Sequence, residues 1–352
     1  MKKVSPYLFL LFSLVISSSL KAQNDLSSTL SHLSSGAAQA YVAPVVSGFG
    51  ADLNSGWVDR VTSSKLLGLD FNFKIVAMGT FFSNQNQTFS TSAAFRFNSD
   101  QAAVLTQSVA NPVARQDIEN QIISQDFTVG ISGPTIVGDK NQYVAVNFPG
   151  HTFTSFGLQY NIPTQNIVTV VNGLLGNLPI LPLGAPQLTI GTVYGTSVSF
   201  RFLPSIQLNS NLGNFSYFGF GIQHNPAAWL NLPLPIDFSL GFFVQNMKVG
   251  SVFSSNATMI NLNASKMFGT SFLNVTPYAG IGIESSTISV NYNQSIDTPA
   301  GPQQVNIAFD IKGENKTRLT LGASFGLAIV NLNVDYSIAK YNTLSAGLGF
   351  NF

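Results

Sequence analysis

A 352-residue chain with only 9% charged side chains, 45% hydrophobic ones and a formal charge of +1 is not composed like an ordinary soluble domain, in which about a quarter of residues are charged. The near-neutral balance points away from a nucleic-acid or polyanion partner. The absence of cysteine excludes disulfides, thiolate metal sites and anchoring through a lipidated cysteine.

The first residues combine Lys2 and Lys3, an apolar core from Tyr7 to Ile16 and a small-residue stretch ending at Ala22. This is the pattern of a secretory signal peptide over residues 1–22, too short to serve as a spanning helix. Cleavage near Ala22 removes Lys2, Lys3 and Lys21, so the mature chain turns slightly acidic. Residues 23–53 form the next unit. Within residues 24–41, Leu26, Leu30, Leu33, Ala37 and Tyr41 recur at helical spacing, which predicts a short N-terminal helix or plug.

From residue 54 onward the governing pattern is alternation. Leu67, Leu69, Phe71, Phe73, Ile75 and Ala77 share one parity, with Asp70, Asn72 and Lys74 on the other. The same period of two returns in Leu319, Leu321, Ala323, Phe325 and Leu327, in Val330, Leu332, Val334, Tyr336 and Ile338, and in Leu344, Ala346, Leu348, Phe350 and Phe352. Period two means strands. Strands of roughly 9–11 residues, apolar on one face and Gly, Ser, Thr or Asn on the other, match an all-β transmembrane antiparallel β-barrel with a polar lumen. No uninterrupted apolar run reaches the roughly 18 residues of a membrane helix.

Segments of this kind run along residues 54–352. Thirteen are read directly, and residues 54–62 are the candidate for a missing one, because single-chain bacterial barrels have even strand numbers. The expectation is therefore about fourteen strands, with twelve as the alternative. Residues 305–325 keep one parity and read as one long strand. Residues 98–124 read as an extracellular connection. Residues 167–188 are apolar but broken by Pro179, Pro182 and Pro186, and read as two turns of amphipathic helix toward the periplasm.

Chemistry is sparse. Gly322, Ser324 and Gly326 fit a nucleophile motif formally, but Ser324 falls inside an alternating strand rather than at a strand-to-helix turn. Residues 133–140 miss a phosphate loop because Asp139 stands where a lysine belongs. His32, His151 and His224 lack a second metal ligand at helical spacing, so neither a metal nor any other cofactor is expected, and no enzyme. Parity instead names candidate lumen residues: Asp70, Lys74, Arg96, Arg201, Glu284, Arg318 and Asp335.

The chain ends on an aromatic, Phe352, at the close of an alternating strand. This resembles the assembly signal of Gram-negative outer-membrane barrels, which implies that the barrel assembly machinery and outer-membrane lipids are partners. The segment ADLNSGW and the ending DYSIAKYNTLSAGLGFNF resemble an uncharacterised family of such proteins. The N-terminal helix and the triplet Asn225, Pro226 and Ala227 bear a more distant resemblance to the long-chain fatty-acid transporter family, plugged fourteen-stranded barrels that pass hydrophobic molecules through a lateral opening. In that family the triplet belongs near the plug, whereas here it lies mid-chain, so no ligand-binding residue is carried over. The reading is an outer-membrane barrel that passes or binds a small hydrophobic or neutral solute. The alternative is a structural or assembly barrel with a filled lumen, and an outer-membrane lipid enzyme comes third.

Overall fold

The computed structural model describes residues 33–62, 67–209, 213–230, 235–250 and 252–352. The signal-peptide expectation lies outside them, as does the first part of the expected helix. Ten strands close a barrel: β1 (Leu67–Phe81), β8 (Ile180–Val193), β9 (Thr196–Asn209), β10 (Gly213–His224), β11 (Asp237–Val249), β12 (Phe253–Ser265), β14 (Leu273–Ile296), β16 (Thr317–Leu327), β17 (Val330–Ile338) and β18 (Thr343–Asn351). Every wall pairing is antiparallel and joins consecutive strands of the wall, except that β1 also pairs with the last strand, β18. The β12–β14 pairing completes the ring. Phe71 and Phe352 exchange both backbone hydrogen bonds, at 3.0 and 2.8 Å, so the last residue marks the end of the barrel where β1 begins.

Ten wall strands replace the expected fourteen for physical reasons that differ by segment. Residues 54–62 make no strand among the described residues, because they run through the lumen. Residues 305–325 divide into β15 (Gln303–Lys312), which lies outside the wall and pairs only with the upper part of β14, and β16 in the wall. A second short strand, β13 (Phe268–Gly269), also lies outside the wall on β14. The period of two holds in β2 (Thr88–Phe95), β3 (Phe127–Pro134) and β4 (Tyr143–Phe148), whereas residues 152–161, which read as one strand, are a hairpin of β5 (His151–Ser155) and β6 (Leu158–Ile162); none of these strands belongs to the wall. With β7 (Gln165–Asn172) they build a four-stranded sheet in the order β2-β3-β4-β7 and a separate β5–β6 hairpin. A period of two describes a half-buried strand whether its buried face meets a core or a lumen.

Residues 82–179, between β1 and β8, form this cap at the barrel end opposite Phe352. The segment expected as a loop at 98–124 carries α2 (Ser99–Leu105) and α3 (Pro112–Ser124). Asn98 caps the first with a reciprocal bond to Gln101, and Asn111 caps the second, with Pro112 in its first turn. Their apolar residues Leu105, Ile118 and Ile122 join Phe95, Phe97, Phe127, Phe148 and Phe153 in one buried cluster. The residues expected as a helix at 167–188 are mostly β7 and β8. They start at the cap end and run down the wall, where Leu188 pairs with Phe73 close to the Phe352 end.

Among the described residues the first helix is α1 (Ser35–Leu53), which overlaps the end of the expected one and continues to the close of the 23–53 unit. Its upper half belongs to the cap cluster through Ala37, Ala38, Tyr41, Val42, Val45 and Val46. Tyr41 donates to the Asn172 carbonyl at 2.8 Å, and burial pushes its pKa up, so the hydroxyl remains a neutral donor. The lower half descends into the barrel. Gly50 lies so close to the wall that any side chain there would collide with Ser286 of β14, which is why the helix can enter so narrow a bore.

Candidate functional site

The wall sorts its side chains by parity. Leu69, Phe71, Phe73, Phe202, Leu240, Phe242, Ile260, Ile283, Leu321, Phe325, Leu332, Leu348 and Phe350 are exposed, with Ile283 at 71%. So continuous an apolar band is a surface that avoids water, and strands of 9–11 residues such as β16, β17 and β18 match the thickness of a bilayer core. An apolar crevice of about 250 Å³, lined by Ile222, Leu240, Phe242, Ile260 and His224, lies on this outer wall. Among the described residues no helix is long and apolar enough to cross a membrane, which says nothing about strands.

The opposite parity lines a lumen occupied by α1 and residues 54–62. Arg318 of β16 pairs with Glu284 of β14 at 2.9 Å, both almost wholly buried. It also donates to the Ala51 carbonyl at 2.8 Å and to the Ser55 hydroxyl. Arg201 of β9, with 0% exposure, donates to the Ser55 carbonyl and to Gln187 Oε1, each at 2.9 Å. Its guanidinium also lies 4.0 Å from the centre of the Trp57 ring. Two arginines therefore grip the carbonyl end of α1, where cations are favoured by the helix dipole.

Apolar contacts complete the seal. Leu53 packs with Val76, Met78, Leu183 and Ala185, while Trp57 and Val58 pack with Phe243 and Met259. Gly219 of β10 faces Trp57, and a Cβ there would come within 2.9 Å of the indole. Lower down, Asp59 lies 3.6 Å from Lys74, Arg60 pairs with Asp70 at 2.9 Å, and Val61 donates to Ser265. Asn225 of the triplet donates to the Thr62 carbonyl at 2.9 Å, so it fixes the plug where it leaves the barrel. A polar cavity of about 20 Å³ remains beside Asn54, Asn261, Arg318 and Asp335, room for about one water.

Of the residues named from parity, Lys74, Arg201, Glu284, Arg318 and Asp335 are buried in the lumen. Asp70 lies at the mouth. Arg96 is not a lumen residue: it follows β2 in the cap and pairs with Asp126 at 2.8 Å on the surface. Sequence reasoning missed Ser55, Trp57 and Asp59. Their signal was the lack of alternation in a polar stretch that an even strand count had claimed for the wall. Ser324 exchanges hydrogen bonds with Asn331 inside the lumen, and His151 packs edge-on against Phe127 and Phe153. Among the described residues no group of histidines and carboxylates could hold a metal.

A family model described as "Family of unknown function (DUF6588)" matches residues 1–352. The chain belongs to DUF6588. No curated protein matches this DUF6588 chain. It is similar to the transport unit of the autotransporter AIDA-I from Escherichia coli, with 7% identity, 89% of this chain and 98% of that one covered, and a TM-score of 0.28. It is also similar to a loop-deletion form of OmpT, an outer membrane protein of Vibrio cholerae, with 10% identity, 81% and 99% covered, and a TM-score of 0.24. The N-terminal β-barrel domain of Pseudomonas aeruginosa OprF gives 15% identity, 45% and 94% covered, and a TM-score of 0.20. Likenesses this slight add nothing to what the strand register already shows.

Proposed function

We propose that this chain is an outer-membrane β-barrel, closed at rest by its own N-terminal segment, that holds the cap on the outer side of the membrane. The observation that carries this reading is the occupied lumen, in which Leu53, Trp57 and Val58 pack against the wall, with a cavity of only about 20 Å³ beside Asn54 and Arg318. Orientation follows from the assembly-signal resemblance of Phe352, which assigns its end to the periplasm, and from the long excursion at 82–179 on the other side. Outer-membrane lipids are then the partners of the apolar band, the barrel assembly machinery reads the last strand, and the role is not enzymatic. The test is conductance of the refolded protein in a planar bilayer. The wild type is expected to stay silent, and a variant with residues 54–62 replaced by Gly and Ser is expected to conduct. Steady conductance by the wild type would end this reading.

A second reading keeps passage of a small hydrophobic solute. One seam of the wall favours it: among the described residues β8 and β9 pair only from Gln187 and Arg201 toward the Phe352 end, with no ladder between their facing edges above that level. Pro182 and Pro186, which lack an N–H, lie in the stretch of β8 that pairs with β1 but not with β9. Joining Gly184→Cys to Pro204→Cys with a short crosslinker should stop uptake of a fluorescent acyl probe from detergent micelles if solutes pass there, and unchanged uptake would remove lateral passage.

A further inference from the structure

Lys74 pairs with Gln187 across β1 and β8, and Gln187 pairs with Arg201 across β8 and β9. The three therefore form one row on the lumen wall, spanning about 10 Å of backbone at the usual strand spacing. Lys74 and Arg201 are 1% and 0% exposed. Cations taken this far from water need an anion or a full set of acceptors. Among the described residues neither has a wall carboxylate within ion-pair distance, although the charge of Asp335 on β17 acts on both. The Lys74 ammonium makes no hydrogen bond among the described residues, its carboxylate neighbour Asp59 being 3.6 Å away. Arg201 has no carboxylate within ion-pair distance among the described residues and relies on neutral acceptors and the Trp57 ring.

All three wall donors face the plug. Arg201 donates to the Ser55 carbonyl, Gln187 Nε2 donates to the Trp57 carbonyl at 3.1 Å, and Lys74 faces the Asp59 carboxylate. Asp59, nearest the Phe352 end, is the member of this set that keeps contact with solvent, at 15% side-chain exposure. We propose that Lys74, Gln187 and Arg201 form a binding site for a small oxyanion, a carboxylate or phosphate group, which residues 55–59 fill at rest and for which a soluble oxyanion competes. One oxygen of such a group faces the Lys74 ammonium and another the Arg201 guanidinium, with the Gln187 amide between them. The site thereby couples ligand binding to the position of the plug. This rests on the reading that residues 54–62 close the lumen.

Trp57 supplies the readout. The chain has two tryptophans, so Trp229→Phe leaves the indole beside Arg201 as the only one. The full-length Trp229→Phe protein, refolded in detergent, is titrated with inorganic phosphate and separately with succinate, against chloride at equal ionic strength. The expected result is a saturable change in Trp57 emission with at least one oxyanion, and the lower half-saturation point identifies the preferred group. Adding Lys74→Gln should weaken that binding about tenfold or more, the loss of a charge-assisted hydrogen bond. Adding Asp59→Asn should tighten it, because the resident competitor loses its charge. These opposite signs are not expected of a merely structural pair, and Asp59→Asn carries the test if Lys74→Gln does not fold. Absence of a saturable response beyond chloride, or a shift in the same direction for both variants, overturns the oxyanion site. A silent bilayer with no oxyanion response ends this proposal and leaves the closed barrel standing, whereas steady conductance without oxyanion ends the closed barrel itself.

Discussion

Arg318 and Glu284 show how much of a lumen residue's role depends on its neighbours. Removing one member of a buried pair strands the other's charge, and Glu284→Ala is expected to cost about 3–5 kcal/mol. The double variant Glu284→Met with Arg318→Met removes both charges and should recover much of that loss, although the Ala51 carbonyl and the Ser55 hydroxyl lose their donor. Urea unfolding of the refolded protein, followed by heat-modifiable gel mobility, compares the two. Equal destabilisation by the single and double changes would mean that volume, not charge, is what the site needs. At this scale parity was informative. Lys74, Arg201, Glu284, Arg318 and Asp335 were legible as inward residues because each lies in a strand of the wall. Arg96 was misread because the strand before it has the same period and a different core. The plug acceptors, the Ser55 hydroxyl and the Ser55 and Trp57 carbonyls, are not legible, since their use depends on where the chain passes.

Among the elements, the plug and the β8–β9 seam depart most from regular sheet. Gly219 and Gly221 make room for the Trp57 ring, Gly219 more closely, so Gly219→Val should push the indole and loosen residues 54–62. The expected outcome is intermittent conductance in the planar bilayer from a barrel that still resists unfolding by detergent. A silent Gly219→Val variant with unchanged Trp57 emission would show that the plug absorbs the added volume. The seam makes a separate prediction. Backbone amides of β9 above Phe202 that face β8 should exchange with deuterium faster than those of β17, which is paired on both sides. Equal protection would mean that the two edges are bridged in solution. The last three strands were legible almost residue by residue, because nothing interrupts their alternation. The break between β15 and β16 was not: Gly313 to Lys316 keep the parity while the chain changes partners, with Gly313 donating to Ser286 and Glu284 to the Lys316 carbonyl.

Over the whole molecule, the even number of wall strands hides an odd number of crossings. Ten strands return the chain to the end where β1 begins, which is why Phe352 and Phe71 are hydrogen-bonded. The plug adds one passage before β1. At one end of it the Leu33 carbonyl accepts a hydrogen bond from Tyr292 beside the cap, and at the other Thr62 meets Ser197 and Asn225. Leu33 and Phe352 therefore lie at opposite ends of the barrel, although a barrel counted from its wall alone would put both on one side. An epitope inserted directly ahead of Leu33 should be labelled on intact cells as readily as one in the open turn at Phe156 and Gly157. An epitope in the turn at Ala328 and Ile329 should require permeabilisation, because that turn shares the Phe352 end. If the epitope at Leu33 is reached only after permeabilisation while the one at Phe156 is reached without it, the plug does not thread the barrel. If the first two report together against the third, the N-terminal segment has crossed the membrane inside the barrel that follows it in sequence.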